Sequence, residues 1–201
     1  MTAGGAEVRE KKAKIWERDE HDFYVEERRA SQALFAAERF VGRVWDPACG
    51  SGQIIKSAAE AGYSTLASDI VCRSPEVVVS DFINSDFGAD VPNIVTNPPF
   101  FRGRGTEAFI RKALSIADGK VAIFASIKFL AGAQRANGLF AEHCPHRIWI
   151  ITPRVSCPPG EWLAAGNKAG GGTDDWCWLV WSLCDPKPLY PQLGWLRKDA
   201  A

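Results

Sequence analysis

The four residues Asn97-Pro98-Pro99-Phe100 bring together, in one tight corner, the groups needed to hold a planar –NH2 substituent. Two successive prolines fix φ and remove two backbone donors. Asn97 precedes a proline and is pushed toward an extended conformation. What remains is an amide oxygen at Asn97, a carbonyl at Pro98 and a flat ring at Phe100. Two acceptors can take the two hydrogens of an –NH2 group while the ring stacks on the heterocycle that carries it. A proline-stiffened turn uses the same four residues, so the rest of the chain has to distinguish the two readings.

Three other short segments carry residues of the same kind. Asp46-Pro47-Ala48-Cys49-Gly50-Ser51-Gly52 combines an acid with two glycines that let a ligand approach the backbone. Asp69 follows about 20 residues later, the distance at which an acidic side chain accepts from ribose hydroxyls. Asp81 and Phe82 can hold an adenine, one by hydrogen bonding and the other by packing. The glycine turn lacks the third glycine of the dinucleotide fingerprint, with Ile54 and Ile55 in its place. That argues against a pyrophosphate and for a nucleoside cofactor without phosphates. Three carboxylates (Asp46, Asp69, Asp81) also suit a cationic ligand better than an anionic one. Taken singly, Asp46 could cap a helix, Asp69 could sit in an ordinary turn, and Phe82 and Phe100 could fill a core. Their occurrence in order, each at the end of an apolar run, favours a site.

Positioning them requires a sheet. Apolar runs predict strands at Arg43–Asp46, Ser64–Ser68, Val77–Val79, Asn93–Val95, Val121–Ser126, Arg147–Thr152 and Trp176–Leu183. Helical spacing predicts helices from Ser31 to Gly42, Gln53 to Glu60, Thr106 to Ala117 and Phe129 to Glu142. The alternation implies an α/β fold: a mostly parallel seven-stranded sheet with an antiparallel edge strand and helices on both faces. Ligands of such sheets bind outside the carboxyl ends of the strands, where the four segments fall. Residues 1–20 read as a mobile charged arm, 21–185 as one catalytic domain and 186–201 as an irregular tail. Pro153–Asp175 reads as a long Gly- and Pro-rich loop.

Composition limits the rest. The 201 residues, 46% hydrophobic and 24% charged, suit one domain with a sizeable core. No run approaches the roughly 18 apolar residues of a membrane span, so a cytoplasmic protein is expected. Six cysteines without paired spacing read as reduced thiols. His143-Cys144-Pro145-His146 lacks a second ligand pair, so no metal is expected. The zero net charge confines any nucleic-acid contact to local patches such as Arg102 and Arg104 beside Phe101.

Asp46 to Gly52, a strand-end Asp69 and then Asn97 to Phe100 together resemble the class I S-adenosylmethionine-dependent amino-methyltransferases. They are most similar to the adenine-N6 methyltransferases of phages and prophages. The resemblance covers roughly residues 20–185 and implies a Rossmann-like fold with S-adenosylmethionine as cofactor. It implies that Asp46, Pro47, Ala48, Cys49, Gly50 and Gly52 wrap the methionine part. Asp69 and Ile70 would take the ribose and adenine, and Asp81 and Phe82 the adenine edge. Tyr24 would contact the cofactor from the segment before the first strand, and Asn97 would face both cofactor and acceptor. Asn97, Pro98, Pro99 and Phe100 would form the catalytic corner, with Phe100, Phe101, Arg102 and Arg104 on the acceptor side. The implied acceptor is adenine N6 in DNA, flipped from a duplex. Adenine in RNA and a protein glutamine are the alternatives; the Phe100-Phe101 pair resembles a double aromatic of some RNA enzymes. A prophage remnant that binds without turnover is a further alternative. No separate target-recognition domain is evident, so specificity would come from loops, a homodimer or a partner.

Overall fold

The computed structural model describes residues 22–87, 90–170, 172 and 174–198, with Arg102 described by its backbone alone. The expected mobile arm (1–20), the glycine at 171 and the last three residues lie outside the described residues.

Eight strands among these residues form one sheet. They are β1 (Val44–Asp46), β2 (Thr65–Asp69), β3 (Val78–Val79), β4 (Asn93–Thr96), β5 (Lys120–Ser126), β6 (Arg147–Thr152), β7 (Trp176–Ser182) and β8 (Gln192–Arg197). Their order is β3-β2-β1-β4-β5-β7-β6-β8. All pairings are parallel except those of β7, which runs antiparallel to both β5 and β6. Six α-helices among the described residues accompany the sheet: α1 (Arg28–Ala37), α2 (Gln53–Glu60), α3 (Arg104–Ile116), α4 (Ala133–Asn137), α5 (Leu139–Glu142) and α6 (Gly160–Ala164).

The central strands are apolar at successive positions because both faces are covered. In β5, Ala122 and Phe124 join one core while Val121, Ile123 and Ala125 join the other. In β7, Trp178 and Val180 face the first core, and Cys177, Leu179 and Trp181 the second. Helix α1 closes the first core through Ala30 and Leu34, and α2 through Ile54 and Ala58, each an i, i+4 pair. Helix α3 closes the second through Phe109, Ile110 and Ala113. Strand order reverses between β1 and β4, so the crevice at their carboxyl ends is the topological switch point.

The α/β class and the mostly parallel sheet stand as expected, and five details are corrected. The sheet has eight strands rather than seven, because the tail carries β8, which pairs with β6 over six residues. Its sequence, Gln-Leu-Gly-Trp-Leu-Arg, shows no apolar–polar alternation, and only Leu196 is buried, so the tail gives a weak strand signal. The antiparallel strand is not at an edge: β7 inserts between β5 and β6. Strand β3, read as a buried strand, is the opposite edge, with Val78 and Val79 exposed. The predicted helix from Phe129 to Glu142 breaks at Gly132 and Gly138 into a 3-10 turn (Ile127–Ala131), α4 and α5. The long loop contains α6, and Pro159 forms an isolated antiparallel bridge with Tyr24. Among the described residues, no helix is long and apolar enough to cross a membrane.

Candidate functional site

A cavity of about 340 Å³ opens at the switch point, within the size range of small-molecule sites. Its walls come from four strand ends and from the segment preceding α1.

The β1 end supplies the turn. Asp46 Oδ1 accepts from the Ala48 amide at 3.1 Å, which folds the chain sharply after the strand. The Cys49 amide donates to the Ser68 carbonyl at 3.0 Å. The Gly50 amide donates to Asp69 Oδ2 at 2.8 Å, tying the turn to the end of β2. Gly50 (φ +49°) and Gly52 (φ +78°) hold left-handed conformations that bulkier residues resist. A side chain at Gly50 would also meet the Phe23 ring, since its Cβ would lie 2.5 Å from Cε2.

The β2 end supplies Asp69. Its Oδ1 accepts from the Val71 amide at 2.9 Å and from Arg73 Nη1 at 3.0 Å. Three of the roughly four acceptor positions of this carboxylate are therefore used, leaving one on Oδ2. The Arg73 guanidinium also lies 3.9 Å over the Phe23 ring. After β3, Asp81 accepts from the Ile83 amide and from Asn84, whose hydrogen bonds hold its carboxyl below the usual range. Phe82 is buried against Trp45 and Phe109, with centroids at 5.3 and 4.8 Å. Exposed Ile70 and Ile83 complete an apolar stretch of wall.

The β4 end supplies the corner. Asn97 Nδ2 donates to the Tyr24 carbonyl at 2.9 Å and to Glu26 Oε2 at 2.8 Å. Its Oδ1 is buried and has no hydrogen-bond partner among the described residues. Asn97, Pro99 and Phe101 line the cavity, whereas Pro98 and Phe100 do not. The Phe100 ring instead packs between Tyr24 and Trp176, at 5.7 and 5.5 Å. Phe101 is exposed and has φ +35°, a strained value for an aromatic residue. Its amide donates to the Asp22 carboxylate. Its ring packs over Gly105, where a Cβ would come within 2.7 Å of Cδ2.

The remaining wall is a strap. Residues 23–27 zip against 156–160: the Val25 amide donates to the Pro158 carbonyl, Glu27 to Ser156, and Gly160 to Phe23. Phe23 sits against Gly160, where a Cβ would lie 1.9 Å from its ring. The loop that sequence leaves unstructured thus holds the strap over the cavity. Glu26 and Asp46 are both buried here, and burial raises both carboxyls, Glu26 to about 7 and Asp46 well above its usual range. Burial likewise pushes the Cys49 and Cys157 thiols up, so neither is a thiolate nucleophile near neutral pH.

The structure therefore brings together Tyr24, Asp46, Pro47, Ala48, Cys49, Gly50, Asp69, Ile70, Asp81, Phe82, Asn97, Pro99 and Phe101 around one cavity. Gly52 caps α2, and Arg104 begins α3, without lining it. The Arg102 side chain is outside the description. Sequence reasoning passed over Arg73 and Ile83, and reached Glu26 only as the end of the segment Phe23-Tyr24-Val25-Glu26 that the resemblance places against the cofactor, with no role of its own. A lone glutamate in a charged segment and an isoleucine in a polar turn carry no signal until the fold brings them to the cavity.

No protein-family model and no curated protein matches the sequence. Solved structures do match. One is a protein from Listeria monocytogenes assigned to the class I S-adenosylmethionine-dependent methyltransferases (TM-score 0.56, 11% identity, 82% of this chain and 62% of that one). Another is a type I restriction-modification system methyltransferase subunit from Streptococcus thermophilus (TM-score 0.54, 12% identity, 80% of this chain and 45% of that one). A third, from Pyrococcus horikoshii, is assigned as an RNA methyltransferase (TM-score 0.52, 17% identity, 76% of this chain and 83% of that one). The chain spans less than two thirds of the Listeria and Streptococcus proteins. At these identities the likeness is one of architecture, and the chain has the class I methyltransferase fold.

Proposed function

We propose that this protein is an S-adenosylmethionine-dependent methyltransferase that modifies an exocyclic amino group, with adenine N6 in DNA as the favoured acceptor. The observation that carries the reading is the Asn97 amide. Its nitrogen end is engaged by Tyr24 and Glu26, its oxygen is buried without a partner among the described residues, and the residue lines the cavity. Leaving a buried acceptor unmade costs about 1–3 kcal/mol, a cost relieved when a ligand donates. An –NH2 group is such a donor.

The cavity also fits the cofactor. Buried Asp46 and partly engaged Asp69 suit an ammonium group and ribose hydroxyls, and Ile70, Phe82 and Ile83 suit a flat apolar ring. When bound, the cofactor supplies a methyl group on a positively charged sulfur. The chain's contribution is positioning. Asn97 Oδ1 accepts one amine hydrogen and draws the nitrogen lone pair out of conjugation with its ring. Fixing the acceptor in line supplies much of the acceleration. No thiolate is required, in keeping with the raised cysteines.

The DNA preference rests on the likeness to a restriction-modification subunit, and RNA is supported by the Pyrococcus neighbour. Tritiated methyl transfer from S-adenosylmethionine to DNA, RNA and protein fractions, followed by nucleoside analysis, tests this. N6-methyldeoxyadenosine is expected; label confined to RNA moves the acceptor. Cofactor binding without label in any fraction would overturn the enzymatic reading.

Two variants test the assignments. Asp46→Asn should weaken cofactor binding about 10- to 100-fold by calorimetry, as expected for loss of a charged hydrogen bond. Unchanged affinity would remove Asp46 from the cofactor's partners. Phe101→Ala should raise the acceptor KM about tenfold, since base–aromatic stacking is worth about 1–3 kcal/mol. Phe100→Ala should instead lower the melting temperature. The opposite pattern would return the stacking role to Phe100.

A further inference from the structure

We infer that Glu26 is a positioning residue that fixes which end of the Asn97 amide faces the cavity. This rests on the reading of Asn97 as the group that holds the acceptor amine.

An asparagine amide has two ends of nearly equal shape, and only its surroundings decide which way it points. Here two groups meet one end: the Tyr24 carbonyl and Glu26 Oε2, at 2.9 and 2.8 Å. An ionised carboxylate and a carbonyl both accept only. They can face the –NH2 end and not the oxygen. Reversing the amide would set three acceptors against one another in a buried place and would aim donors at an incoming –NH2 group. The Tyr24 carbonyl alone gives one such constraint. Glu26 doubles it, and a hydrogen bond to an ionised acceptor is roughly twice as strong as a neutral one.

The constraint depends on charge. A protonated Glu26 carries an O–H that can donate to a reversed Asn97 oxygen, so protonation weakens the preference. Burial brings the Glu26 carboxyl to about 7, against hydrogen bonds from its own backbone amide and from Asn97 that lower it. Burial raises the Asp46 carboxyl, and repulsion by Glu26 and Asp69 raises it further; Glu26 adds to the effect of burial on the Cys157 thiol. Asp22, Cys49, Asp69, Arg73 and Asp81 line the same cavity. Cys157 Sγ accepts from Asn97 Nδ2 at 3.8 Å, a longer and weaker hydrogen bond than those to Tyr24 and Glu26. The productive orientation is thus favoured above about pH 7 and loosened below it.

Glutamine at this position keeps an acceptor oxygen but cannot ionise, and leucine keeps neither. Nitrogen-15 NMR of the side-chain amides, with the Asn97 pair assigned by its absence in Asn97→Ala, reads the orientation without any substrate. In the wild type the Asn97 –NH2 resonances should move with a midpoint near pH 7; in Glu26→Gln that transition should vanish. A transition that persists in Glu26→Gln, or no movement between pH 5 and 9, would overturn the proposal. Once an acceptor is identified, Glu26→Leu should lower kcat on the order of 100-fold. Glu26→Gln should lie between the two and show a flat pH profile from 6 to 8. If Glu26→Gln instead weakens cofactor binding more than tenfold with kcat intact, Glu26 is a cofactor ligand and the positioning role fails. Failure of the methyltransferase reading itself is separate: it appears as a wild-type protein that binds no S-adenosylmethionine, or that binds it and labels no fraction.

Discussion

Asn97→Ala is expected to lower methyl transfer on the order of 10²–10³-fold, the scale seen when one preorganised polar group is removed from a reacting centre. Cofactor affinity should change far less, because the lost oxygen faces the acceptor amine. The substitution also strips a donor from the Tyr24 carbonyl and from Glu26, both held at the strap. Losing those hydrogen bonds costs about 1–3 kcal/mol, so the variant must be assayed where its fold is intact by circular dichroism. Asn97→Asp separates the two effects. It restores an oxygen to the cavity but sets a second carboxylate against Glu26 and a carbonyl oxygen against its own. Two carboxyls this close share one proton, so the variant should bind the cofactor, with transfer falling as rising pH removes that proton. Transfer by Asn97→Ala at the wild-type rate would remove the amide from the mechanism.

The corner, the glycine turn and the three acids were legible because each depends on local chemistry. Two prolines stiffen a turn wherever they occur, and Gly50 needs a left-handed φ whatever surrounds it. Their meeting at one crevice followed from strand alternation alone. What was not legible depends on contacts far apart in sequence. Phe100 and Phe101 are adjacent aromatics, and only the packing of Tyr24 and Trp176 around Phe100 decides which of them lines the cavity. Glu26 becomes significant only through a residue 71 positions away. The position of β7 inside the sheet and the existence of β8 are likewise set by long-range pairing, since β8 by itself shows five unburied residues of six.

The end of the sheet opposite the cavity provides the other large expected effect. Glu38, just past the end of α1, is 4% exposed. Its carboxylate accepts from Lys120 Nζ at 2.6 Å, from Arg147 Nη2 at 2.9 Å and from Trp149 Nε1 at 2.9 Å, with Arg147 Nε as a further donor. It thus clamps α1 to the first residues of β5 and β6. Burial alone would raise this carboxyl, but the hydrogen bonds of Arg147, Lys120 and Trp149 and the charge of Lys120 outweigh it and hold it below its usual range. A depressed carboxylate stabilises the fold above its unfolded value near 4.5, and that contribution is lost as pH falls through the folded value. Glu38→Leu leaves two cations and an indole N–H without their shared acceptor, and breaking a buried pair in this way costs about 3–5 kcal/mol. Lys120 and Arg147 keep some access to water, with side-chain exposures of 19% and 25%, so a loss near the lower bound, about 3 kcal/mol, is expected in urea titrations. Because the site lies at the other end of the strands, kcat in the folded variant should stay at the wild-type level. Glu38→Gln should fall between the two and lose the extra steepness of acid unfolding. A loss under about 1 kcal/mol for Glu38→Leu would place this cluster among the weak surface pairs and leave α1 held by its apolar face and its other hydrogen bonds.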